Sequence, residues 1–338
     1  QWLTGWPVTA EAIVVYSIGE KPKLYVQHYN HLPLAKQLAH DSDVSWGGVS
    51  GIESALEDLR KRGAENNSIG LVGIYSLTQV ERLQEFSKSV VDMTRDYIQL
   101  RLIKSSEELD WLRIGSALTD YGISALKDGL QIGMNERDMG ALVESGYLDQ
   151  GGENQIHFFG VTAMNDPDCC VPRQFPSTRK IASGDVLTTE ISSHFWDYSG
   201  QVLRTFTINA DPSPLYQELH DVAEAAFEAI LSVLRPGTTP DEIINAASVI
   251  EDAGFTIYDD LVHGYGGGYL PPILGSKSRM NAPAPTMTLE AGMCLVVQPN
   301  VITPDEKAGV QTGEMMLITE TGSERMHSFP RGLHTLSL

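Results

Sequence analysis

The chain has 338 residues, of which 42% are hydrophobic, and this composition predicts a globular protein with enough apolar side chains for a sizeable core. Its 44 acidic and 24 basic residues give a formal net charge of −20. Nucleic acid and anionic membrane surfaces bind clustered Lys and Arg, so this charge argues against both as partners. Small-molecule substrates and soluble proteins remain.

The three cysteines predict neither a disulfide framework nor a cysteine metal site, because Cys169 and Cys170 are neighbours and Cys294 lies in an apolar run. This usage fits a reducing cytoplasm. The sequence contains no signal-peptide pattern and no apolar run long enough to span a bilayer. The chain starts at Gln1 within what reads as the approach to a strand, so we expect further residues to precede it.

Residues 1–100 alternate strand and helix patterns. The apolar, β-branched runs predict strands over 12–17, 23–27 and 68–75, and the amphipathic runs predict helices over 51–63 and 77–88. This alternation indicates a small α/β domain. Two polar-aromatic segments, 27–35 and 44–48, are interpreted as loops at strand ends.

Residues 101–338 combine helices with antiparallel hairpins, which indicates an α+β domain. Ser105 and Glu108 form a capping-box pattern that opens a helix running to about Leu130. Further helices are predicted after Asn135, over about 215–234 and over about 241–253. Apolar runs predict strands over 185–192, 202–209, 294–302 and 313–321.

Four segments of this second region carry groups that can do chemistry. A predicted hairpin places Glu190 and Gln201 on neighbouring strands, where two acceptors can converge on one point. The segment HGYGGGYLPP contains His263 and glycines that let the backbone pass close to a ligand. Gln298 ends a buried strand, and Glu314 begins another. Taken singly, each of these residues has an ordinary structural explanation.

The order of these segments resembles the pita-bread peptidase family, which includes methionine aminopeptidase, prolidase, aminopeptidase P and creatinase. In that family two Asp on a hairpin, a His in a GHGxG loop, a Glu in xEPG and a last Glu bind two metal ions. The five matching positions here are Glu190, Gln201, His263, Gln298 and Glu314. The RT pair at 204–205, the GD pair at 184–185 and the segments RLIKSSEEL and RPGTT match as well.

The resemblance implies a pita-bread catalytic domain over 101–338, preceded by a creatinase- or prolidase-type α/β domain over 1–100. It also implies a homodimer, in which segments 27–35 and 44–48 either reach the neighbouring subunit's active site or are ordinary surface loops.

Two of the five ligand positions depart from the family, because Gln201 and Gln298 are neutral. A pair of divalent ions carries four positive charges and needs anionic or imidazole ligands. We therefore expect no tightly bound metal and no other cofactor. The alternative is one divalent ion held by Glu190, His263 and Glu314.

Two histidines of the family are also replaced. The segment PRQFP has Arg173 where the family has a catalytic His, and Tyr265 and Tyr269 occupy the loop where the family has a substrate-contacting His. Arg173 is expected either to grip an anionic group of the substrate or to neutralise Glu190 or Glu314 in an internal ion pair.

The likeness to creatinase, which works without metal, implies a metal-independent hydrolase or lyase acting on a C–N bond of a small polar, carboxylate-bearing substrate. The expected catalytic residues are Glu190, His263 and Glu314, and the residues expected to contact substrate are Arg173, Gln201, Arg204, Tyr265, Tyr269 and Gln298. His157 and His194 remain open as proton-transfer groups.

Glu190 and Glu314 are expected to form a proton-sharing pair, so their neutral Gln variants should be at least as stable as the parent. Two alternatives to a metal-independent enzyme stay open. One is a metal-dependent Xaa-Pro-type aminopeptidase or dipeptidase with a reduced metal site. The other is an inactive binding protein on the peptidase fold.

Overall fold

The computed structural model describes residues 1–7, 10–280 and 282–338. Contacts between Cα atoms divide the chain into two compact units, Gln1–Leu100 and Arg101–Leu338. None of the helices in the described ranges combines the length and apolar character needed to cross a bilayer.

The first unit contains short strands and helices in alternation. Its strands are β1 (Ala12–Val15), β2 (Lys23–Val26), β3 (Asp43–Trp46), β4 (Ser68–Leu71) and β5 (Ser89–Asp92). Its helices are α1 (Leu32–Leu38), α2 (Gly51–Lys61), α3 (Leu77–Phe86) and α4 (Thr94–Leu100). Strand β2 pairs antiparallel with β1 and parallel with β3, and β4 pairs parallel with β5.

Two sequence interpretations in this unit need correction. Segments 27–35 and 44–48 were expected to be loops, but they contribute to helix α1 and strand β3. The polar and aromatic character of these short elements hides them, because only Ala35 of α1 and Val44 of β3 are buried. The predicted strand 68–75 ends at Leu71, two residues before Gly73, which adopts a positive φ of 97°.

The second unit has five α-helices within the described residues. They are α5 (Ser106–Gly129), α6 (Glu136–Ser145), α7 (Pro214–Val233), α8 (Pro240–Ala246) and α9 (Val249–Asp252). Ser105 and Glu108 form the predicted capping box of α5, and Asn135 caps α6. The predicted helix 241–253 is interrupted at residues 247–248, and so it appears as α8 and α9.

The strands of the second unit include the predicted hairpin strands and several shorter ones. They are β6 (Glu153–Ala163), β7 (Asp185–Phe195), β8 (Tyr198–Ser199), β9 (Val202–Ile208), β10 (Thr256–Ile257), β11 (Val262–Tyr265), β12 (Tyr269–Leu274), β13 (Cys294–Val297), β14 (Val301–Ile302), β15 (Gly313–Ile318), β16 (Ser323–Arg325) and β17 (Leu333–Leu336). Most of them join one sheet of ten strands, in which β12, β11, β13, β15, β9, β7 and β6 lie in that order.

This strand order, and not proximity in the chain, assembles the candidate site. Five neighbouring strands, β11, β13, β15, β9 and β7, each carry or adjoin one of the predicted residues. Val297 pairs with both Val262 and Glu314, and Glu314 also pairs with Val202. Residues adjacent to these positions therefore lie side by side across the sheet.

Candidate active site

All five predicted positions are buried in one part of the sheet: Glu190, Gln201, His263, Gln298 and Glu314. The structure thus brings them together, but it divides them into two groups. Glu190, Gln201 and Gln298 are joined by side-chain hydrogen bonds, whereas Glu314 is engaged by arginines.

The amide of Gln201 bridges two acceptors. Its Nε2 donates to Oε1 of Glu190 at 2.9 Å and to Oε1 of Gln298 at 3.1 Å. Gln298 in turn donates its Nε2 to the carbonyl oxygen of Asp260 at 3.1 Å. An N–H donor therefore occupies the space between two oxygen acceptors, which is where a cation would lie in a set of carboxylate ligands.

Glu190 is surrounded by acidic groups and little water. Burial raises the pKa of Glu190 to about 8, and the charges of Asp259 and Asp260 add to the effect. Burial and the charge of Asp259 also raise the pKa of Asp260 to about 6. A carboxyl in such surroundings holds its proton near neutral pH, which suits it to proton transfer.

His263 presents one free ring nitrogen. Its Nδ1 lies 3.2 Å from the carbonyl oxygen of Gly264, which can only accept, so the ring proton is on Nδ1 and Nε2 carries a lone pair. Nε2 is buried and has no hydrogen-bond partner among the described residues. Burial lowers the pKa of His263 to about 4, although the Gly264 carbonyl and the Gln298 side chain oppose the shift.

Tyr265 and Tyr269 flank this imidazole, although they end β11 and begin β12 where loop positions were expected. The Tyr269 ring stacks on the His263 ring with centroids 4.0 Å apart, and the Tyr265 ring meets it edge-on at 5.4 Å. Tyr265 is buried and its hydroxyl accepts from Ser199, whereas Tyr269 is 45% exposed. Tyr269 is therefore the one of the pair that solvent and ligands can reach.

Glu314 is locked into an internal ion-pair cluster, which corrects the expectation of a proton-sharing pair with Glu190. Arg204 donates to its Oε2 at 2.6 Å, and Arg325 donates to both of its carboxylate oxygens. Burial alone would raise the pKa of Glu314, but the Arg325 hydrogen bonds and the Arg204 charge outweigh it and lower the pKa. A carboxylate held ionised by two guanidinium groups is a poor proton carrier.

Arg204 makes only internal contacts among the described residues, although it was expected to contact the substrate. Its side chain is fully buried. Its guanidinium donates to backbone carbonyls at Leu203, Gly313, Phe329 and Pro330, at 2.7–3.1 Å, in addition to Glu314. These bonds occupy the planar donor fork that a substrate carboxylate would need.

Arg173 also has an internal partner, and it is neither of the two glutamates expected. Its guanidinium donates to Oε1 of Glu136 at 3.0 Å, and the Glu136 side chain is fully buried. The internal ion-pair alternative thus has a specific partner on α6, while an anion-gripping role for Arg173 stays a prediction.

We expect Arg173→Ala to lower the free energy of unfolding by about 2–3 kcal/mol, because it leaves the buried Glu136 carboxylate without its charged donor. Arg137→Ala, at the exposed neighbour of Glu136, should change stability by less than about 0.5 kcal/mol. Urea unfolding of both variants measures the difference. Equal stabilities, together with selective loss of binding to carboxylate-bearing ligands in Arg173→Ala, would instead assign Arg173 to the substrate.

The other two histidines considered from sequence are engaged with other groups. Nε2 of His157 lies 2.6 Å from the Tyr147 hydroxyl, and Nδ1 of His194 accepts from the backbone of Asp197 at 3.1 Å. Neither contact involves the five positions of the site.

Sequence reasoning missed the acidic pair Asp259–Asp260 and the guanidinium of Arg325. The signal for the first was present, since two consecutive acids stand just before His263. Nothing in the local sequence marks Arg325, because its partner Glu314 pairs with it only through the contact of β15 with β16.

The donor set does not fit a pair of divalent metal ions. Within residues 1–7, 10–280 and 282–338, no three His, Cys, Asp or Glu side chains cluster in a way that could hold one. Gln201 directs N–H groups at the acceptors of Glu190 and Gln298, and Glu314 is neutralised by arginines. Two neutral amides and one imidazole leave too little negative charge for four positive charges.

Comparisons with known proteins give the same fold. The model of the metallopeptidase family M24 matches residues 110–320. An Xaa-Pro dipeptidase from Pyrococcus horikoshii is 24% identical over 316 residues, covering 93% of this chain and 86% of that protein. The solved prolidase from Pyrococcus furiosus has a TM-score of 0.82 at 21% identity, covering 98% of this chain and 94% of that one. The X-Pro aminopeptidase from Thermotoga maritima has a TM-score of 0.81 at 19% identity, covering 99% and 93%.

These matches confirm the resemblance to the pita-bread family, the predicted fold and the prediction of a hydrolase. They also bear on the choice between the functional alternatives. The relatives named here act on Xaa-Pro substrates, so the comparisons favour the Xaa-Pro alternative over the creatinase-like interpretation.

Proposed function

Because this chain belongs to the metallopeptidase family M24, whose members hydrolyse C–N peptide bonds, we propose that it hydrolyses the C–N bond of Xaa-Pro dipeptides or small analogues of them. The substrate class rests on the named relatives. The observation that carries the chemistry is the buried Glu190 carboxyl, which the Gln201 amide holds in place, together with the buried His263 of the same sheet, whose Nε2 has no partner in the described part of the chain.

Glu190 and His263 can together activate a water molecule for attack. With a pKa of about 8, Glu190 is ionised in a fraction of the molecules near neutral pH. In these molecules the carboxylate accepts the proton as the water oxygen adds to the carbonyl carbon, while His263 Nε2 accepts the second hydrogen bond of that water. Glu190 then passes the proton to the leaving nitrogen, and the C–N bond breaks. The carboxylate is regenerated, so protons and electrons balance without a further reactant.

The proposal includes metal-independence, because the amide donors of Gln201 lie between the acceptors that would have to face a cation. It therefore differs from the metal-dependent form of the Xaa-Pro alternative. A single divalent ion on Glu190, His263 and Glu314 would have to compete with Arg204 and Arg325 for Glu314.

A second candidate is creatinase-like hydrolysis of a small guanidinium or amidinium compound. The observation that favours it is the set of acceptors around Glu190. Oε1 of Gln201 and Nε2 of His263 are both buried acceptors without partners in the described part of the chain, and Asp259 and Asp260 add negative charge. A cation with several N–H donors complements such a set.

One assay distinguishes the two candidate functions. Purified protein is offered a panel of Xaa-Pro dipeptides, the matching Xaa-Ala dipeptides and guanidino compounds, with and without a chelator, and its metal content is measured. We expect turnover of Xaa-Pro dipeptides, no effect of the chelator, and well under one equivalent of Zn, Mn, Co or Fe. Glu190→Gln should lower kcat about 10²–10⁴-fold, whereas Glu320→Gln, at an exposed turn, should not change it.

Loss of activity on chelation, with a stoichiometric ion that resists washing, would establish the metal-dependent alternative. Turnover of guanidino compounds alone would establish the creatinase-like one. Binding without turnover for every compound would support the inactive binding protein.

A further inference from the structure

His327 lies behind the site and contacts Gln201 through the backbone. Its imidazole is fully buried. Nε2 accepts the backbone N–H of Gln201 at 3.2 Å, and Nδ1 lies 2.8 Å from Oδ1 of Asp120 on α5. Since the Gln201 N–H can only donate, the ring proton must be on Nδ1, where it donates to Asp120.

Asp120 is an ionised anchor for the segment that carries His327. Besides His327, it accepts from the backbone and the hydroxyl of Ser328 at 2.5 and 2.7 Å and from the backbone of Phe329 at 3.2 Å. Burial alone would raise the pKa of Asp120, but these hydrogen bonds, led by that of His327, lower it. Four donors to one carboxylate fix its orientation and that of the segment.

The same segment also reaches the second group of the site. The carbonyl oxygen of Phe329 accepts from both Arg204 and Arg325, and that of Pro330 accepts from Arg204 at 2.8 Å. Asp120 is thereby connected to Glu314 on one side and to Gln201 on the other, through one short stretch of backbone.

Two glycines allow α5 and His327 to press against the turn that precedes Gln201. A Cβ at Gly200 would lie 2.5 Å from the Ser116 Cα and 2.8 Å from the His327 imidazole, and a Cβ at Gly115 would lie 2.3 Å from the Tyr198 carbonyl oxygen. No side chain fits at either position without moving backbone. The main chain at Gln201 is therefore held by contacts on the α5 side of the sheet.

We infer that Asp120 and His327 are a positioning pair, which fixes the Gln201 backbone so that its side-chain amide stays between Glu190 and Gln298. Neither residue contacts the reacting groups; both act through Gln201. The expected effect on kcat rests on the proposed function, because it assumes that Glu190 is the proton carrier. The expected effect on the position of Gln201 does not depend on that function.

Asp120→Asn tests the pair through the tautomer of His327. The Asn side chain keeps the size of Asp and one acceptor oxygen for Ser328 and Phe329. Its NH₂ group facing His327 Nδ1 favours the opposite tautomer, with the proton on Nε2, and that proton points at the Gln201 N–H. The variant should fold, but the Gln201 backbone N–H should lose its acceptor, His327 Nε2. His327→Gln, which keeps a donor and an acceptor but replaces the rigid ring that fixes their positions by a flexible chain, is the second variant.

The first measurement is NMR of protein labelled with ¹⁵N at histidine and glutamine, assigned with Gln201→Glu. In the parent we expect the Gln201 NH₂ protons to exchange slowly with solvent and the His327 ring to show an unprotonated Nε2. In Asp120→Asn we expect the histidine ring nitrogens to interchange their signals and Gln201 NH₂ exchange to rise at least tenfold. Asp185→Asn, which removes another buried carboxylate paired with Arg179, is the control and should leave the Gln201 signals unchanged.

The second measurement is kinetic. Asp120→Asn should lower kcat about 10–100-fold and change KM less than threefold, since hydrogen-bonding partners that orient a functional side chain affect activity by about that factor. Unchanged Gln201 signals in Asp120→Asn and His327→Gln would overturn the inference, whatever the activity. Altered Gln201 signals in a protein that turns over no substrate would support the positioning pair and count against the proposed function.

Discussion

Glu314→Gln is expected to lower the free energy of unfolding by about 3–5 kcal/mol, because it leaves the fully buried Arg204 without its carboxylate. Arg325 loses its partner as well, but its side chain is 41% exposed and can turn to solvent. Glu190→Gln is expected to leave the stability unchanged or to raise it. From sequence alone both variants were expected to be at least as stable as the parent, and the structure reverses that expectation for Glu314.

The two variants should also differ in their dependence on pH. The folded pKa of Glu190, about 8, lies above its ordinary value of 4.5, so ionised Glu190 disfavours the folded state. This cost is absent below pH 4.5, grows as pH rises and is complete above pH 8. The advantage of Glu190→Gln over the parent should therefore increase from pH 5 to pH 8.

For Glu314 the contribution of ionisation to stability has the opposite sign. Its folded pKa is lowered, so its ion pairs contribute stability above its ordinary pKa and lose it as the pH falls through the folded value. Chemical denaturation of both variants at about pH 3, pH 5 and pH 8, with the exposed Glu320→Gln as control, measures both trends: the Glu190 effect between pH 5 and pH 8, and the Glu314 effect between pH 3 and pH 5. If Glu314→Gln is as stable as the parent at pH 7, Glu314 is not held by the arginine cluster described here.

The double variant Gln201→Glu/Gln298→Glu should convert the site into one that requires a cation. Both substitutions keep the size of the side chain and replace N–H donors by carboxylate oxygens. The carboxylate at position 201 would lie within hydrogen-bond distance of Glu190 and of the carboxylate at position 298 in a buried site, and the repulsion among the three destabilises the metal-free protein. A divalent ion relieves this repulsion, with the free Nε2 of His263 as a further ligand.

We therefore expect the double variant to melt below the parent without metal and to be stabilised by added Mn²⁺, Co²⁺ or Zn²⁺. An ion at a hundredfold excess over its Kd contributes about 2.7 kcal/mol, which corresponds to about 5–10 °C in Tm for a domain of this size. The parent should not respond. Thermal unfolding with a metal series, and equilibrium dialysis for stoichiometry, measure both effects.

Gln311→Glu is the matched control for this experiment. Gln311 is also fully buried, and neither of its amide atoms has a partner within the described ranges. It adds a buried carboxylate at a side chain with no hydrogen bond to Glu190, Gln201 or Gln298, so it should destabilise the protein without any rescue by metal. A similar rise in Tm for the parent and the double variant would show that Gln201 and Gln298 do not decide metal binding.

Local signals in the sequence were sufficient for most of the secondary structure. The capping box at Ser105 and Glu108 starts α5 where expected, and Asn135 starts α6, because a cap depends on residues three or four positions apart. The strands of the 185–209 hairpin were equally clear, since their apolar, β-branched runs are buried on both faces. The weakly buried α1, β3 and β5 lack such a pattern and were missed.

The sequence by itself also determined which charges the site lacks, because the two glutamines at family ligand positions are visible without coordinates. Only the tertiary structure decided what the remaining groups do. Glu314 and Arg204 are 110 positions apart, and His327 and Gln201 are 126 apart; the order of strands in the sheet brings each pair into contact. Since a carboxylate's pKa follows from its burial and its partners, the same residue type became a proton carrier at 190 and an ion-pair anchor at 314.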